Sequence, residues 1–228
     1  MLEPYQTLLR SIIEAATHDN DVVGVFLMGS LARGDALPGT DLDLLLILAA
    51  GRRRPFRREV RDGVLVECDY LDVPSARLDL DTHPMRVYGY LDGTVLHDPH
   101  GELELLKRHA RCRLAEYVAP VEQRARIAFL LRCSRDKMRV AMNGRDLLKA
   151  AYVTGTSSWQ IMEGLWAANG LPVPPNSSVR PHLRDLTQGP PDVETCYRDL
   201  FLGDARGRVQ TALELIDWIL AQLDGSDW

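Results

Sequence analysis

The stretch "VVGVFLMGSLARGDALPGTDLDLLLIL", Val22 to Leu48, constrains this chain more than any other. Two apolar runs flank a polar, glycine-containing connection. Both runs are short for helices, and they read as buried strands. Gly29-Ser30 closes the first and Asp41-Leu42-Asp43 opens the second. Residues two apart on a strand face the same way, so Asp41 and Asp43 project together, about 6–7 Å apart along the backbone. Leu42, Leu44 and Leu46 then face the other side and pack on helices. Two carboxylates held so close repel each other if they are buried and unpaired. A divalent cation relieves that repulsion. Magnesium favours one or two carboxylates, waters and nucleotide phosphate oxygens. A pair of such ions clamps the attacking and leaving oxygens of an in-line displacement.

The other strand end fits the same chemistry. Glycine at 29 lets backbone approach a ligand closely. If Ser30 opens a helical turn, its N–H groups and hydroxyl form an anion site. Gly34 would break that turn, and Thr40 adds a hydroxyl just before the acids. Arg33 reaches either phosphate or substrate, or it pairs with Asp35.

Met28-Gly29-Ser30, ten intervening residues and then Asp41-Leu42-Asp43-Leu44 resemble the signature of the DNA polymerase β-like nucleotidyltransferase superfamily. The "SLARGD" filling and the threonine before the first aspartate resemble its smaller bacterial members. The layout is similar to that of the antibiotic nucleotidyltransferases that modify aminoglycosides or lincosamides. The segment "GTVLHDPHGELELL" resembles the join between their two domains. The resemblance implies Mg²⁺ as cofactor, with Asp41 and Asp43 as metal ligands. It implies an NTP, ATP in the first instance, as co-substrate, with Gly29, Ser30, Arg33 and Thr40 around it. It also implies a third carboxylate on a neighbouring strand. In "VLVECDYLD", Glu67 and Asp69 share a face. Streptomycin-type adenylyltransferases carry a glutamate in a comparable strand, which favours Glu67, as general base or metal ligand. Asp69 is the alternative, and Asp72 reads as loop.

The fold class expected is α+β: a short mixed sheet forming a catalytic domain over residues 1–98, then a helical substrate-binding bundle over 99–228. Apolar spacing in "PYQTLLRSIIEAATHDN" predicts a helix from about Pro4 to His18. Asp62-Gly63 between extended runs predicts a hairpin, with strands at about 56–61 and 64–71. Further helices are expected in "GELELLKRHARCRLAEY", in "VEQRARIAFLLRCSRDKMRVAM" with Val121, Ala125, Ala128, Leu131 and Met138 along one stripe, and in "RVQTALELIDWILAQL". Ser157 with Gln160 resembles a capping box opening another helix, which Gly170 stops. "LPVPPNSSVRP" reads as a loop. Trp159, Trp166 and Tyr152 read as core.

Composition narrows the partners. The net charge of -5 disfavours nucleic acid, which needs phosphate neutralisation. The arginines at 52, 53, 54, 57, 58 and 61 are the contrary sign, and they read better as a solvated hairpin face on a sheet edge. The four cysteines are spread without a CxxC pair, which fits a reducing cytoplasm and no zinc framework. No run of about 18 apolar residues calls for a membrane span, and the start lacks the order of a secretion signal. Only three of 27 basic residues are lysines, an arginine bias in keeping with GC-rich bacterial coding. Lys137 is a candidate triphosphate contact. The acceptor expected is a small hydroxylated molecule held between the two domains, with Asp136, Glu163 and Asp185 as acids able to attract a cationic one. A homodimer is compatible with all of this. The rival readings are a protein AMP-transferase of the antitoxin type and a non-catalytic nucleotide sensor.

Overall fold

The computed structural model of the protein describes residues 3–224. Its contacts define two compact units. One extends through Glu116 and takes in Pro174–Ser178; the other comprises Tyr117–Val173 and the chain from Val179 onward.

The first unit contains α1 (Glu3–Thr17), β1 (Val22–Leu27), α2 (Gly29–Arg33), β2 (Leu42–Leu48), β3 (Arg57–Arg61), β4 (Val64–Asp72), α3 (Val73–Thr82), α4 (Arg86–Asp92), β5 (Thr94–His97) and α5 (Glu102–Ala115). The five strands form one mixed sheet in the order β3-β4-β2-β1-β5. β2 and β4 are parallel, and the other pairs are antiparallel. The α+β class is therefore as expected. So is the hairpin: β3 and β4 join through Asp62 and Gly63, both at positive φ (51° and 78°), the conformation a two-residue I′ turn requires.

Alternation along the strands divides the sheet into two apolar faces. Val25, Leu27, Leu42, Leu44, Leu46, Leu48, Val66 and Cys68 pack on Tyr5, Leu8, Leu9, Ile12 and Ala16 of α1. Each leucine so buried contributes about 1.5–3 kcal/mol. On the opposite face, Phe26 meets Tyr90 of α4 edge to face, with ring centroids 5.8 Å apart. This face is covered by α3, α4 and α5. Residues 73–97 carry no clear periodicity, and α3, α4 and β5 arise there from tertiary packing. β5 pairs with β1 at the sheet edge. The change of character near Pro99 groups α5 with the helical half, yet α5 packs on α3, α4 and β1.

The second unit contains α6 (Val121–Asn143), α7 (Leu147–Ala168), α8 (Val179–His182), α9 (Val193–Leu202) and α10 (Ala205–Asp224). Here α6, α7 and α10 pack on one another, with α9 against α10. Their core includes Ile127, Leu131, Met138, Ile161, Leu165, Trp166 and Ile219. Several local expectations are corrected. Ser157 is not a helix cap: α7 runs continuously past it, and its buried hydroxyl donates to Ser134 Oγ at 2.8 Å. The true cap is Asp146, which accepts from the Lys149 amide. A serine and glutamine at cap spacing look the same inside a helix when a neighbouring helix supplies the hydrogen-bond partner. Val121 and Ala125 are exposed, and the stripe begins at Ile127. Tyr152 is 70% exposed and lies outside the core. The expected loop after Gly170 holds a 3₁₀ turn at Asn176–Ser178 and then α8.

Candidate active site

The end of β1, the start of β2 and the middle of β4 lie side by side in the first unit's sheet. Asp41 sits just before β2, and Asp43 is its second residue. Parallel pairing sets Asp43 beside Glu67 of β4. A carboxylate oxygen from each of Asp41, Asp43 and Glu67 lies within 4.8 Å of the other two, and all three residues are half-buried. The register of a parallel pair, together with the two-residue periodicity of β2, is enough to bring them together.

α2 is fitted against these acids. Gly29 opens it at φ 65°, and a Cβ there would lie 2.1 Å from Asp43 Oδ2. Only glycine allows the turn and the carboxylate to occupy this space. The Met28 amide donates to the Asp43 carbonyl at 2.8 Å, which fixes the turn to β2. Ser30 Oγ lies 2.9 Å from Thr40 Oγ1. Tyr5 donates its hydroxyl to the Thr40 carbonyl at 2.8 Å, tying the acid-bearing loop to α1. Gly34, at φ 82°, ends the helical turn as a left-handed cap.

Arg33 is almost wholly covered, with 10% of its side chain exposed. Its guanidinium donates to Ser178 Oγ at 3.0 Å and approaches Asp35 at 3.3 Å. It thereby ties the Pro174–Ser178 segment to α2, and its charge still reaches Asp43.

The electrostatics of the cluster centre on Asp43. Burial, then the charges of Asp41 and Glu67, push its carboxyl up to about 6, with Arg33 acting in the opposite sense. Three close carboxylates, one of them resisting ionisation, fit a divalent cation: hard oxygen ligands with excess negative charge are the donor set that Mg²⁺ and its relatives take. Glu67 also accepts from Arg58 at 2.9 Å. Arg58 is 62% exposed, and such surface pairs are worth about 0–1 kcal/mol, so Glu67 is not locked away from the cluster.

The other candidates fall elsewhere. Asp69 is exposed and stands outside the three-acid group, accepting only from the Tyr70 amide among the described hydrogen bonds. Asp72 ends β4 and caps α3, accepting from the Ser75 and Gly51 amides. The hairpin arginines are largely paired: Arg52 with Asp21, Arg54 with Asp19 and Asp21, and Arg57 and Arg61 with Glu59. Lys137 is exposed on α6. Asp136, Glu163 and Asp185 are engaged by Arg135, Arg126 and His182.

Beside Asp43 and Glu67 the sheet opens into a pocket of about 270 Å³ within the first unit. Leu45, Leu71, Asp69, Met85 and Tyr90 are among its walls. Tyr90 lies in the stretch where the sequence has no legible pattern, and no signal marks it in advance.

A mixed sheet that presents clustered acids beside a Gly-Ser turn is the arrangement implied by the motif. The family model of the nucleotidyltransferase domain matches residues 9–146, and the chain belongs to that family. It is a nucleotidyltransferase: an enzyme that takes a nucleoside triphosphate as substrate and transfers its nucleoside monophosphate. Among solved structures it is similar to a nucleotidyltransferase-like protein from Exiguobacterium sibiricum 255-15, at 17% identity and a TM-score of 0.46, over 92% of this chain and 72% of that one. No curated protein matches it. Among the described residues, no helix is long and apolar enough to cross a membrane.

Proposed function

We propose that the enzyme transfers AMP from Mg-ATP to a hydroxyl of a small molecule and releases pyrophosphate. The observation that carries this reading is the convergence of Asp41, Asp43 and Glu67 within 4.8 Å, beside a glycine turn that leaves room for nothing larger than hydrogen at residue 29. Bound by these three carboxylates, Mg²⁺ would supply the charge neutralisation that phosphoryl oxygens need in an in-line displacement. The chain's own residues do the rest. The hydroxyls of Ser30 and Thr40, held 2.9 Å apart, and the amides opening α2 hold phosphate oxygens. Gly29 keeps the backbone out of their way. Arg33 supports the turn and offsets the negative charge at Asp43.

In the transfer, the acceptor oxygen bonds to the α-phosphorus. The bond from that phosphorus to the oxygen bridging to the β-phosphate breaks, and pyrophosphate leaves with that oxygen. Glu67 takes the hydroxyl proton and passes it to solvent. A general base of this kind contributes about 10²–10⁴-fold in rate. The small size of the acceptor rests on the acidic chain and on a hairpin whose arginines are largely paired, which leaves few cations for a polynucleotide backbone.

The test is pyrophosphate release from ATP and Mg²⁺ across a panel of hydroxylated antibiotics and metabolite extracts, with radiolabel followed from the α-phosphate. Label in a small molecule supports the reading. Label recovered in protein or RNA replaces it, the former with the protein AMP-transferase alternative.

A further inference from the structure

We infer that Tyr5 is a positioning residue for the three-acid cluster: its hydroxyl, reaching from α1 through the core, holds the Thr40 carbonyl and so sets where Asp41 stands. The purpose of that placement rests on the proposed metal-assisted transfer; the placement itself is geometric.

The three acids are not held alike. Asp43 and Glu67 lie inside strands and pair with each other in the parallel register of β2 and β4. The Asp43 carbonyl takes a further bond from the Met28 amide at 2.8 Å. Asp41 lies one residue before Leu42, where that register begins. Its backbone follows a loop that offers little packing: Leu37 is 76% exposed, and Gly34, Asp35, Pro38 and Gly39 are exposed as well. A carboxylate on such a segment stays in place only where the chain beside it is fixed.

Thr40 is that fixed point. Its amide donates to the Leu37 carbonyl at 3.1 Å, its hydroxyl lies 2.9 Å from Ser30 Oγ, and its carbonyl accepts from the Tyr5 hydroxyl at 2.8 Å. The first two bonds stay within the connection between β1 and β2 and move with it. The third spans 35 residues of sequence and anchors the loop to a helix packed in the core. It falls on the carbonyl of the peptide that leads into Asp41. A peptide unit is planar, so a donor on that oxygen orients the plane that ends at the Asp41 Cα.

The make-up of α1 points the same way. Tyr5, Leu8, Leu9, Ile12 and Ala16 are buried together in the core of this sheet face, and of the five side chains only that of Tyr5 carries a polar atom. Tyr5 is 5% exposed. A phenylalanine fills the same apolar space with no hydroxyl to desolvate, and a buried hydroxyl costs free energy unless it is bonded. What the hydroxyl adds to this packing is the bond to Thr40, and that bond ends one residue from a carboxylate of the cluster.

The experiment uses the full chain, with Mn²⁺ as the probe, titrated by calorimetry into the parent, Tyr5→Phe and Ile12→Val. Ile12→Val trims a buried methyl group from the same core and removes no hydrogen bond. Thermal melting is read on each sample, and both variants should melt somewhat lower than the parent. Tyr5→Phe should bind Mn²⁺ about tenfold more weakly, the lower end of the loss when groups that orient metal ligands are removed. Ile12→Val should bind it as the parent does. Pyrophosphate release from ATP should fall by a similar factor in Tyr5→Phe at limiting Mg²⁺, and excess Mg²⁺ should restore most of it. Equal Mn²⁺ affinity in parent and Tyr5→Phe would overturn the inference. So would an equal loss in Ile12→Val, which would show that lowered stability alone loosens the site. A parent that takes up no Mn²⁺ would overturn it together with the proposed function. The expected loss of Mn²⁺ affinity, with no pyrophosphate released by any of the three proteins, would sink the transfer reading and support Tyr5 as the organiser of a metal site. Release by the parent that Tyr5→Phe matches at every Mg²⁺ concentration, with Mn²⁺ affinity unchanged, would sink the role of Tyr5 alone.

Discussion

Gly29 and Asp43 share a space that a single side chain fills: a Cβ on residue 29 would lie 2.1 Å from Asp43 Oδ2, on a backbone at φ 65°. Gly29→Ala must therefore either displace the carboxylate or unwind the start of α2. A left-handed backbone alone costs an alanine about 1–2 kcal/mol, which corresponds to a few degrees in melting temperature for a chain of this size. The effect on transfer should be much larger, at least about 100-fold, because a misplaced group of this kind costs catalysis more than stability. Pyrophosphate release and thermal melting on the same sample check this. A variant that melts several degrees lower and still turns over at the parental rate would show that Asp43 is not held by this contact.

The raised carboxyl of Asp43 has a definite sign in stability. Its folded-state value of about 6 lies above the ordinary 3.8, so the folded apo-protein binds a proton that the unfolded chain has already released between these limits. The stabilisation from that proton is fully present below 3.8 and is lost as pH rises through about 6. Asp43→Asn should melt higher than the parent at about pH 7.5 and close to it at about pH 4, without metal. Added Mg²⁺ should stabilise the parent at the higher pH and leave the variant unmoved. Scanning calorimetry at both pH values, with and without Mg²⁺, decides it; identical pH responses in parent and variant would remove Asp43 from the titrating cluster.

The part of the site legible in the sequence is the part governed by local rules. Strand alternation alone places Asp41 with Asp43, and Gly34 ends α2 where a left-handed cap is needed. The hairpin at Asp62-Gly63 is equally local. Glu67 and Asp69 share a face and differ only in register, which no local pattern specifies. Pairing of Asp43 with Glu67 across parallel strands brings Glu67 into the group of three. Tyr90 and the α3–α4 region are invisible for a related reason: short helices that cover a sheet form where tertiary burial demands, with weak periodicity of their own. The Ser157 error is of the same kind, since a buried serine paired to Ser134 is a fact about a neighbouring helix.

Glu67 and Asp69 should separate cleanly in kinetics. Glu67→Gln removes a carboxylate from the three-acid group and should lower kcat by about 10²–10⁴-fold. Asp69→Asn should leave kcat within a few-fold and raise the KM for a cationic acceptor, because its carboxylate lies along the pocket and outside the cluster. Steady-state turnover of both variants with one acceptor measures the split. The reverse order, with kcat collapsing in Asp69→Asn and retained in Glu67→Gln, would move the base to Asp69.

Arg33 carries the last prediction, because it joins two features that are distant in sequence. It donates to Ser178 at 3.0 Å, and its charge opposes the upward push on the Asp43 carboxyl. Replacing it with methionine keeps much of the stem's packing and removes both effects. With the opposing charge gone, Asp43 should hold its proton to higher pH. Metal uptake requires the ionised carboxylate, so the pH at which Mn²⁺ or Mg²⁺ binds half-maximally should move upward in Arg33→Met. Arg33→Lys, which restores a charge without the planar fork, should recover part of that shift while leaving the Ser178 contact broken. Metal titrations by calorimetry across the neutral range read this directly. A midpoint unchanged in Arg33→Met would mean that the arginine serves only to hold Pro174–Ser178 against α2. A midpoint restored by lysine would assign the effect to charge, since a tether that depends on the guanidinium fork is not rebuilt by an ammonium.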